Sequence, residues 1–289
     1  MRGDAKSMTV LAPRSAAEAL RALAKNPSAL PLAGGTDVMV GWNMGLLNGR
    51  TVLDLSRVTE WRKIRAAKGA VFIGSLVTHS EIQAHPVLRA RFPLLVRACA
   101  TVGAAQIQNR GTLGGNVANA SPAGDTFPPL AVYGALVHCA GPEGRRVVPI
   151  LDIFAGVKKT NLKPGELIEA IELPFPPKAP ARAVFRKVGT RAAQAISKTM
   201  FAGLLWLGKD GTVEEVRLAF GSLAPTVRRL AAAESYLRGR RLDAAAAARA
   251  AELLTADVSP IDDIRSTRDY RLAVSRNLIV RFLSGETRS

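Results

Sequence analysis

The alternation of apolar and polar positions opens on a short strand at residues 8–11. A helix follows from Ser15, a capping residue, through Leu20 and Leu23 to about Lys25, where Asn26 and Pro27 end it. Residues 29–32, Ala-Leu-Pro-Leu, read as a buried strand that feeds Ala33-Gly34-Gly35-Thr36-Asp37, after which Val38, Met39, Trp42 and Leu46 recur at helical spacing. The expected unit is therefore strand, glycine loop, helix. Residues 51–55 give another strand, residues 61–73 a hairpin turning at Lys68-Gly69, and residues 78–83 a capped short helix. Residues 86–100 predict one longer helix with Leu88, Phe92, Leu95 and Cys99 inward, and residues 127–133 a helix opening at Pro128. Residues 135–140 and 145–148 pair as a hairpin through Gly141-Pro142-Glu143-Gly144.

A polar loop at residues 160–166 precedes a strand at residues 167–173. Pro174, Pro176, Pro177 and Pro180 then interrupt any sheet or helix and mark a domain boundary, dividing the chain into 1–177 and 178–289. Beyond it, residues 184–188, 196–207 and 213–220 read as antiparallel strands, the last two joined by Lys209-Asp210-Gly211. Helical patterns at residues 227–237, 243–254 and 270–283 close the chain, giving an α+β protein.

The 289 residues exceed one average core and agree with two main domains. No apolar run approaches the roughly 20 residues of a membrane span, and the start, Met1 to Ser7, lacks an apolar signal core, so the expectation is a soluble, cytoplasmic protein without a membrane span. A net charge of +17 invites nucleic acid. The basic residues are nevertheless spread out, with the densest groups at Arg228-Arg229 and residues 238–241 and no aromatic interleaving, so the expected partner is an acidic protein subunit and not nucleic acid. Two cysteines, Cys99 and Cys139, and three histidines without ligand spacing exclude a four-cysteine iron–sulfur or structural zinc site, so any metal belongs to another polypeptide. Both cysteines fall in apolar patterns and read as small buried hydrophobes.

Residues 109–125 consist almost wholly of small polar groups and glycine. Gly111, Gly114, Gly115 and Gly124 suggest positive φ and a cradle of peptide N–H groups for an anion. Neither this segment nor residues 33–37 is a G-x-G-x-x-G or Walker loop. Two glycine loops closing on one extended ligand fit a dinucleotide, whose pyrophosphate needs N–H donors and whose hydroxyls need short acceptors such as Asp125. No nucleophile–histidine pair or carboxylate dyad is visible, which assigns the chemistry to the cofactor.

Several separated pieces then align with one family. Residues 33–37, Arg110-Gly111-Thr112-Leu113-Gly114-Gly115-Asn116, Ser121-Pro122-Ala123-Gly124-Asp125, Lys159-Thr160 with Glu166-Leu167-Ile168, Lys187-Val188-Gly189-Thr190-Arg191, Ala195-Ile196-Ser197-Lys198 and Ser266-Thr267-Arg268-Asp269-Tyr270-Arg271 resemble, in the right order, the FAD-binding medium subunit of molybdenum hydroxylases of the xanthine and carbon monoxide dehydrogenase type. The resemblance implies a two-subdomain, vanillyl-alcohol-oxidase (PCMH)-type FAD-binding domain followed by a smaller domain of antiparallel strands with helices. It implies FAD as cofactor, a molybdenum–pterin large subunit and a 2Fe–2S small subunit as partners, and NAD, oxygen or another terminal electron acceptor. Carried over by position, Leu32, Ala33, Gly34, Gly35, Thr36, Asp37, Val38 and Met39 hold the pyrophosphate from one side and Thr112, Leu113, Gly114, Gly115 and Asn116 from the other. Val102 stands where some relatives stack an aromatic ring on the flavin. Asp125 binds cofactor hydroxyls, Ile168 contacts the adenine end, Lys187 contacts the cofactor from the second domain, and Ile196 lies against the isoalloxazine. Gln194 replaces an acidic residue of some relatives, which leaves the acceptor open. Plainer roles also exist: Asp125 as a helix cap, Lys187 as an exposed strand lysine, Ile196 as core, and Thr36-Asp37 as a cap. The alternatives at protein level are a stand-alone flavin reductase or oxidase and a basic, non-enzymatic binding protein.

Overall fold

The computed structural model describes residues 3–67 and 69–285; Met1, Arg2 and Lys68 of the expected hairpin turn lie outside them. In chain order the elements are β1 (Thr9–Leu11), α1 (Ala16–Lys25), β2 (Leu30–Leu32), α2 (Val38–Asn43), β3 (Thr51–Asp54), β4 (Ile64–Ala67), β5 (Ala70–Gly74), α3 (His79–Ala84), α4 (Pro86–Arg91), α5 (Pro93–Cys99), α6 (Ala105–Gln108), α7 (Leu113–Asn119), α8 (Phe127–Val132), β6 (Leu136–Gly141), β7 (Gly144–Pro149), β8 (Phe154–Gly156), β9 (Lys159–Thr160) and β10 (Leu167–Pro174). The second half continues with β11 (Arg182–Val188), β12 (Thr199–Leu207), β13 (Val213–Gly221), β14 (Arg228–Arg229), α9 (Ala231–Leu237), α10 (Ala244–Glu252) and α11 (Arg268–Ser284).

Three sheets carry the fold. A small parallel sheet runs β1-β3-β2, an antiparallel sheet runs β4-β5-β10-β6-β7, and a second antiparallel sheet runs β11-β12-β13-β14. Three hydrophobic cores follow from them. Ala19 and Leu23 of α1 pack under the parallel sheet with Leu53 and Trp61. The second core joins Ile73, Leu95, Leu113, Val137 and Ile171 to Ala202, Leu204, Trp206 and Ala219 of the C-terminal sheet. The opposite face of that sheet, with Phe201, Leu205 and Phe220, buries Leu237, Ala250 and Phe282 of the closing helices. Covering on both faces explains the unbroken apolar run of β12, which has no polar alternation to show.

Several expectations need correction. The helix expected over residues 86–100 is two helices, because Pro93 excludes Phe92 from the helical region and its φ/ψ is −132°/51°. β2 is not a buried strand: Pro31 is exposed, as suits an edge strand that needs no N–H there. The pattern from Val38 to Leu46 gives only a six-residue helix with no buried residue, and Met39 and Leu46 face solvent. The strand expected from Ile196 starts at Thr199, and the helix expected from residue 227 starts at Ala231 after the short strand β14. Residues 109–125 are not one long loop, since α7 lies within them, capped by Thr112, whose hydroxyl accepts from Gly115 N. Finally, Gly111, Gly114, Gly115 and Gly124 do not have positive φ; Gly35 does, at 79°. What their small size secures is close packing: a Cβ on Gly114 would collide with Ser75, and one on Gly124 would lie 2.8 Å from Phe127 Cδ2.

Among the described residues, no helix is long and apolar enough to cross a membrane.

Candidate FAD clamp

The turn after β2 and the start of α7 face each other across a cleft of about 390 Å³, within the usual range for a ligand site. They meet at Gly34, whose missing side chain leaves room for the Arg110 carbonyl. The N–H groups of Met39 and Val40 return to Gly35 O and Asp37 O, while those of residues 35–38 have no partner among the described hydrogen bonds. Peptide donors gathered this way at a helix start suit a phosphate.

The opposite wall differs from expectation. Leu113 N donates to Val77 O, Gly114 N to Ser75 O at 3.0 Å, Gly115 N to Thr112 Oγ1 and Asn116 N to Thr112 O. The amides of residues 113–116 are already satisfied, so this half contributes small, close surfaces and side chains. Asn119, one turn beyond Asn116, donates to Asp37 Oδ1 and accepts from Lys158 Nζ, which also reaches Asp37 Oδ1 at 3.2 Å. That trio ties the two walls at the rim. Asp37 occupies the N-cap position of α2 but makes no side-chain cap bond.

Of the residues expected at the site, Ala33, Gly34, Gly35, Thr36, Asp37, Val38, Val102, Thr112, Gly114, Gly115, Asn116 and Ile168 line this cleft. Leu32, Met39, Leu113, Asp125, Lys187 and Ile196 do not line it. Leu32 is held in the parallel sheet and Leu113 is core. Asp125 and Lys187 are bonded to each other at 2.5 Å, with side chains 6% and 12% exposed, and Lys187 Nζ also donates to Thr101 O, next to Val102. They form a buried latch between the two halves beside the cleft. Asp125 does not cap α8, and Lys187 is no surface lysine. Burial pushes the Asp125 carboxyl up to about 6, against the opposing pull of the Lys187 charge and hydrogen bond and of Thr101. Ile196 is 55% exposed, so it is not core either.

Leu30, Pro31, Leu55, Leu76, Leu162 and Leu167 supply apolar walls that sequence reasoning missed, because each sits in a strand or loop whose neighbours give no chemical signal. Asn119 was findable from its i, i+3 spacing to Asn116 once α7 is recognised as a helix. Ser75 is the most telling omission: its Oγ is buried, lines the cleft and has no hydrogen-bond partner. His79, also on the wall, is held neutral by burial, which lowers it to about 4, and its Nδ1 lies 3.4 Å from Cys99 Sγ. Glu166 is lowered by its paired hydrogen bonds from Arg146 and by the Lys163 N–H.

Unsatisfied peptide donors on one side, an orphaned hydroxyl in the wall and long apolar flanks match a pyrophosphate-bearing dinucleotide with flat rings. Fold and cleft together define a two-domain dinucleotide-binding protein of the α+β class. Residues 6–176 match the family described as the FAD binding domain in molybdopterin dehydrogenase, and residues 184–285 match the CO dehydrogenase flavoprotein C-terminal domain. The chain belongs to this FAD-binding family of the molybdenum hydroxylases; its cofactor is FAD and its class is oxidoreductase.

The chain is 31% identical over 269 residues to the xanthine dehydrogenase FAD-binding subunit of Escherichia coli O157:H7, covering 93% of this chain and 92% of that one. A solved carbon monoxide dehydrogenase from Hydrogenophaga pseudoflava superposes with a TM-score of 0.91 at 29% identity, covering 98% of both chains. Quinoline 2-oxidoreductase from Pseudomonas putida 86 gives 0.90 at 29% identity, covering 99% of this chain and 98% of that one.

Proposed function

We propose that this chain is the FAD-carrying electron-transfer subunit of a molybdenum hydroxylase complex, receiving electrons from 2Fe–2S clusters of one partner and passing them to a terminal acceptor. The observation that carries this reading is the inertness of the cleft's own acids and bases. His79 is buried and neutral, Glu166 is committed to Arg146 and Lys163, and Asp37 is shared between Asn119 and Lys158. None is free to exchange a proton with an organic substrate, so the chain's residues bind and orient while substrate chemistry falls to a partner. Bound FAD supplies the ability to take electrons singly and give them up in pairs.

Residues 35–38 hold the pyrophosphate through their N–H groups, Ser75 Oγ gains its missing partner from the cofactor, and Ile168 and Val102 bound the cleft. The Asp125–Lys187 pair serves as the latch that fixes the second domain against the cleft. The test is to tag the chain in its native cells and purify it intact. Iron, molybdenum and flavin recovered together in a complex fit the reading; flavin recovered without iron or molybdenum refutes it and favours a stand-alone flavoprotein.

A further inference from the structure

A second, smaller cavity of about 100 Å³ opens beside the cleft. Gly34 and Thr112 are among the residues that line both, while Ser56, Arg62, Thr78, Asn109 and Arg110 line the smaller one alone. The five residues particular to it are all polar, and among the described residues of its wall none carries a carboxylate.

That wall is rich in unused donors. The Arg110 side chain has no hydrogen bond or ion pair among the described residues, and Arg62 spends only its Nε, on Ser56 O at 3.4 Å. Asn109 Oδ1 accepts from Ser80 Oγ, which leaves the amide N–H groups of Asn109 to donate. Thr112 Oγ1 accepts from Gly115 N and keeps its own O–H to give. Two acids adjoin the wall and both are engaged with its backbone: Asp54 Oδ1 accepts from Ser56 N at 2.9 Å, and Glu81 Oε2 accepts from Thr78 N at 2.7 Å and from Thr78 Oγ1.

Two guanidiniums on one small cavity repel each other, and no carboxylate of the wall offsets this. A tetrahedral oxyanion does, because each planar fork presents paired N–H donors to its oxygens. Volume then selects the size of the guest. About three water volumes admit one phosphate group, whereas cavities for whole drug-sized ligands run to roughly 300–1,000 Å³. Nor is this the pyrophosphate cradle: residues 35–38 line the larger cleft only, and the two arginines line the smaller cavity only.

We infer that Arg62 and Arg110, with Asn109 and Thr112, form a separate oxyanion site that takes one phosphate group other than the cofactor's. The guest is inorganic phosphate or the terminal phosphate of a larger molecule whose remainder stays outside the cavity. The site stands whatever fills the larger cleft.

The test is calorimetric titration of the purified full chain with inorganic phosphate and with adenosine monophosphate, in a chloride buffer of fixed ionic strength, before and after loading with FAD. The expected result is saturable binding at one anion per chain in both forms. Arg62→Gln and Arg110→Gln each weaken it about tenfold and the double variant abolishes it. Arg89→Gln, which removes an exposed charge lining neither cavity, leaves it unchanged. Both cavity arginines are exposed, so their variants are expected to melt at the temperature of the natural chain. Equal affinity for the two probes identifies free phosphate as the guest; tighter binding of adenosine monophosphate with the same arginine dependence identifies the phosphate of a larger ligand. No saturable binding of either probe overturns the proposal, and so does binding that survives in the double variant. Phosphate that binds the chain without FAD and is displaced by FAD would also overturn it, by making the cavity part of the pyrophosphate site. A chain that takes up no flavin yet binds phosphate through both arginines would refute the flavin reading and leave this site standing.

Discussion

Gly34→Ala isolates the clamp from every other feature of the fold. Gly34 is not in the left-handed region, so alanine meets no backbone strain there. Its Cβ would instead run into the Arg110 carbonyl, 2.6 Å from Arg110 C, where carbon atoms need about 3.5 Å. The obstacle is main chain, which cannot rotate aside, so the two walls must separate by about 1 Å. Overpacking of this kind costs about 1–3 kcal/mol. Spent on the cleft, that is roughly a 5- to 150-fold loss of FAD affinity. Titration of the apo chain with FAD, followed by quenching of flavin fluorescence, measures the loss. Gly41→Ala, on α2 with nothing within 4 Å of the added methyl, is the control and is expected to bind normally. An unchanged affinity in Gly34→Ala would refute the claim that contact between the two walls shapes the site.

Ser75→Ala removes a buried hydroxyl with no partner in the chain, so stability should stay level or rise while FAD affinity falls by about 0.5–1.5 kcal/mol; calorimetric titration beside thermal melting separates the two. Lys187→Ala strands the buried Asp125 carboxylate and should cost about 3–5 kcal/mol near neutral pH, measured by denaturant unfolding. Two buried groups set opposing pH dependences. The Asp125 carboxyl rises from 3.8 to about 6 on folding, so its stabilisation is present below pH 3.8 and lost as pH rises toward 6; the His79 imidazole falls from 6.5 to about 4, so its stabilisation is present above pH 6.5 and lost as pH falls toward 4. Each is worth ~3 kcal/mol, so the intact chain should be nearly level across that window. Asp125→Asn should then lose stability on acidification and His79→Gln should gain it, as read from unfolding curves at stepped pH; parallel profiles in both variants would contradict the assignment.

Sequence pattern located the helix–strand order and the two glycine-bearing segments that face each other across the cleft. It misjudged why the glycines are there. Gly34 and Gly114 serve contacts with Arg110 and Ser75, residues far off in the chain, and no local pattern reports such contacts. Donors were expected from both halves, but the α7 amides are taken by Ser75, Val77 and Thr112, which only the tertiary fold brings near. Asp125 and Lys187 were each expected on the cofactor; that they also pair with each other, 62 positions apart, is something only the tertiary fold reveals. Strong local punctuation was reliable at Ser15 and Thr78, where the side chain accepts from the first helical turn as the sequence suggests, while the Thr267 cap that starts α11 at Arg268 went unread. At Phe92-Pro93 it prevailed over periodicity, a proline dividing an otherwise continuous helical pattern.

The central claim is that this chain holds FAD in the cleft between residues 33–38 and α7. The most direct measurement is the visible spectrum of the purified chain, before and after addition of FAD and gel filtration. The account predicts flavin bands at one FAD per chain for the natural sequence and clear depletion in Gly115→Val, with its C-terminal domain still folded. No flavin bands in the natural chain even after added FAD, or full occupancy in Gly115→Val, would contradict it.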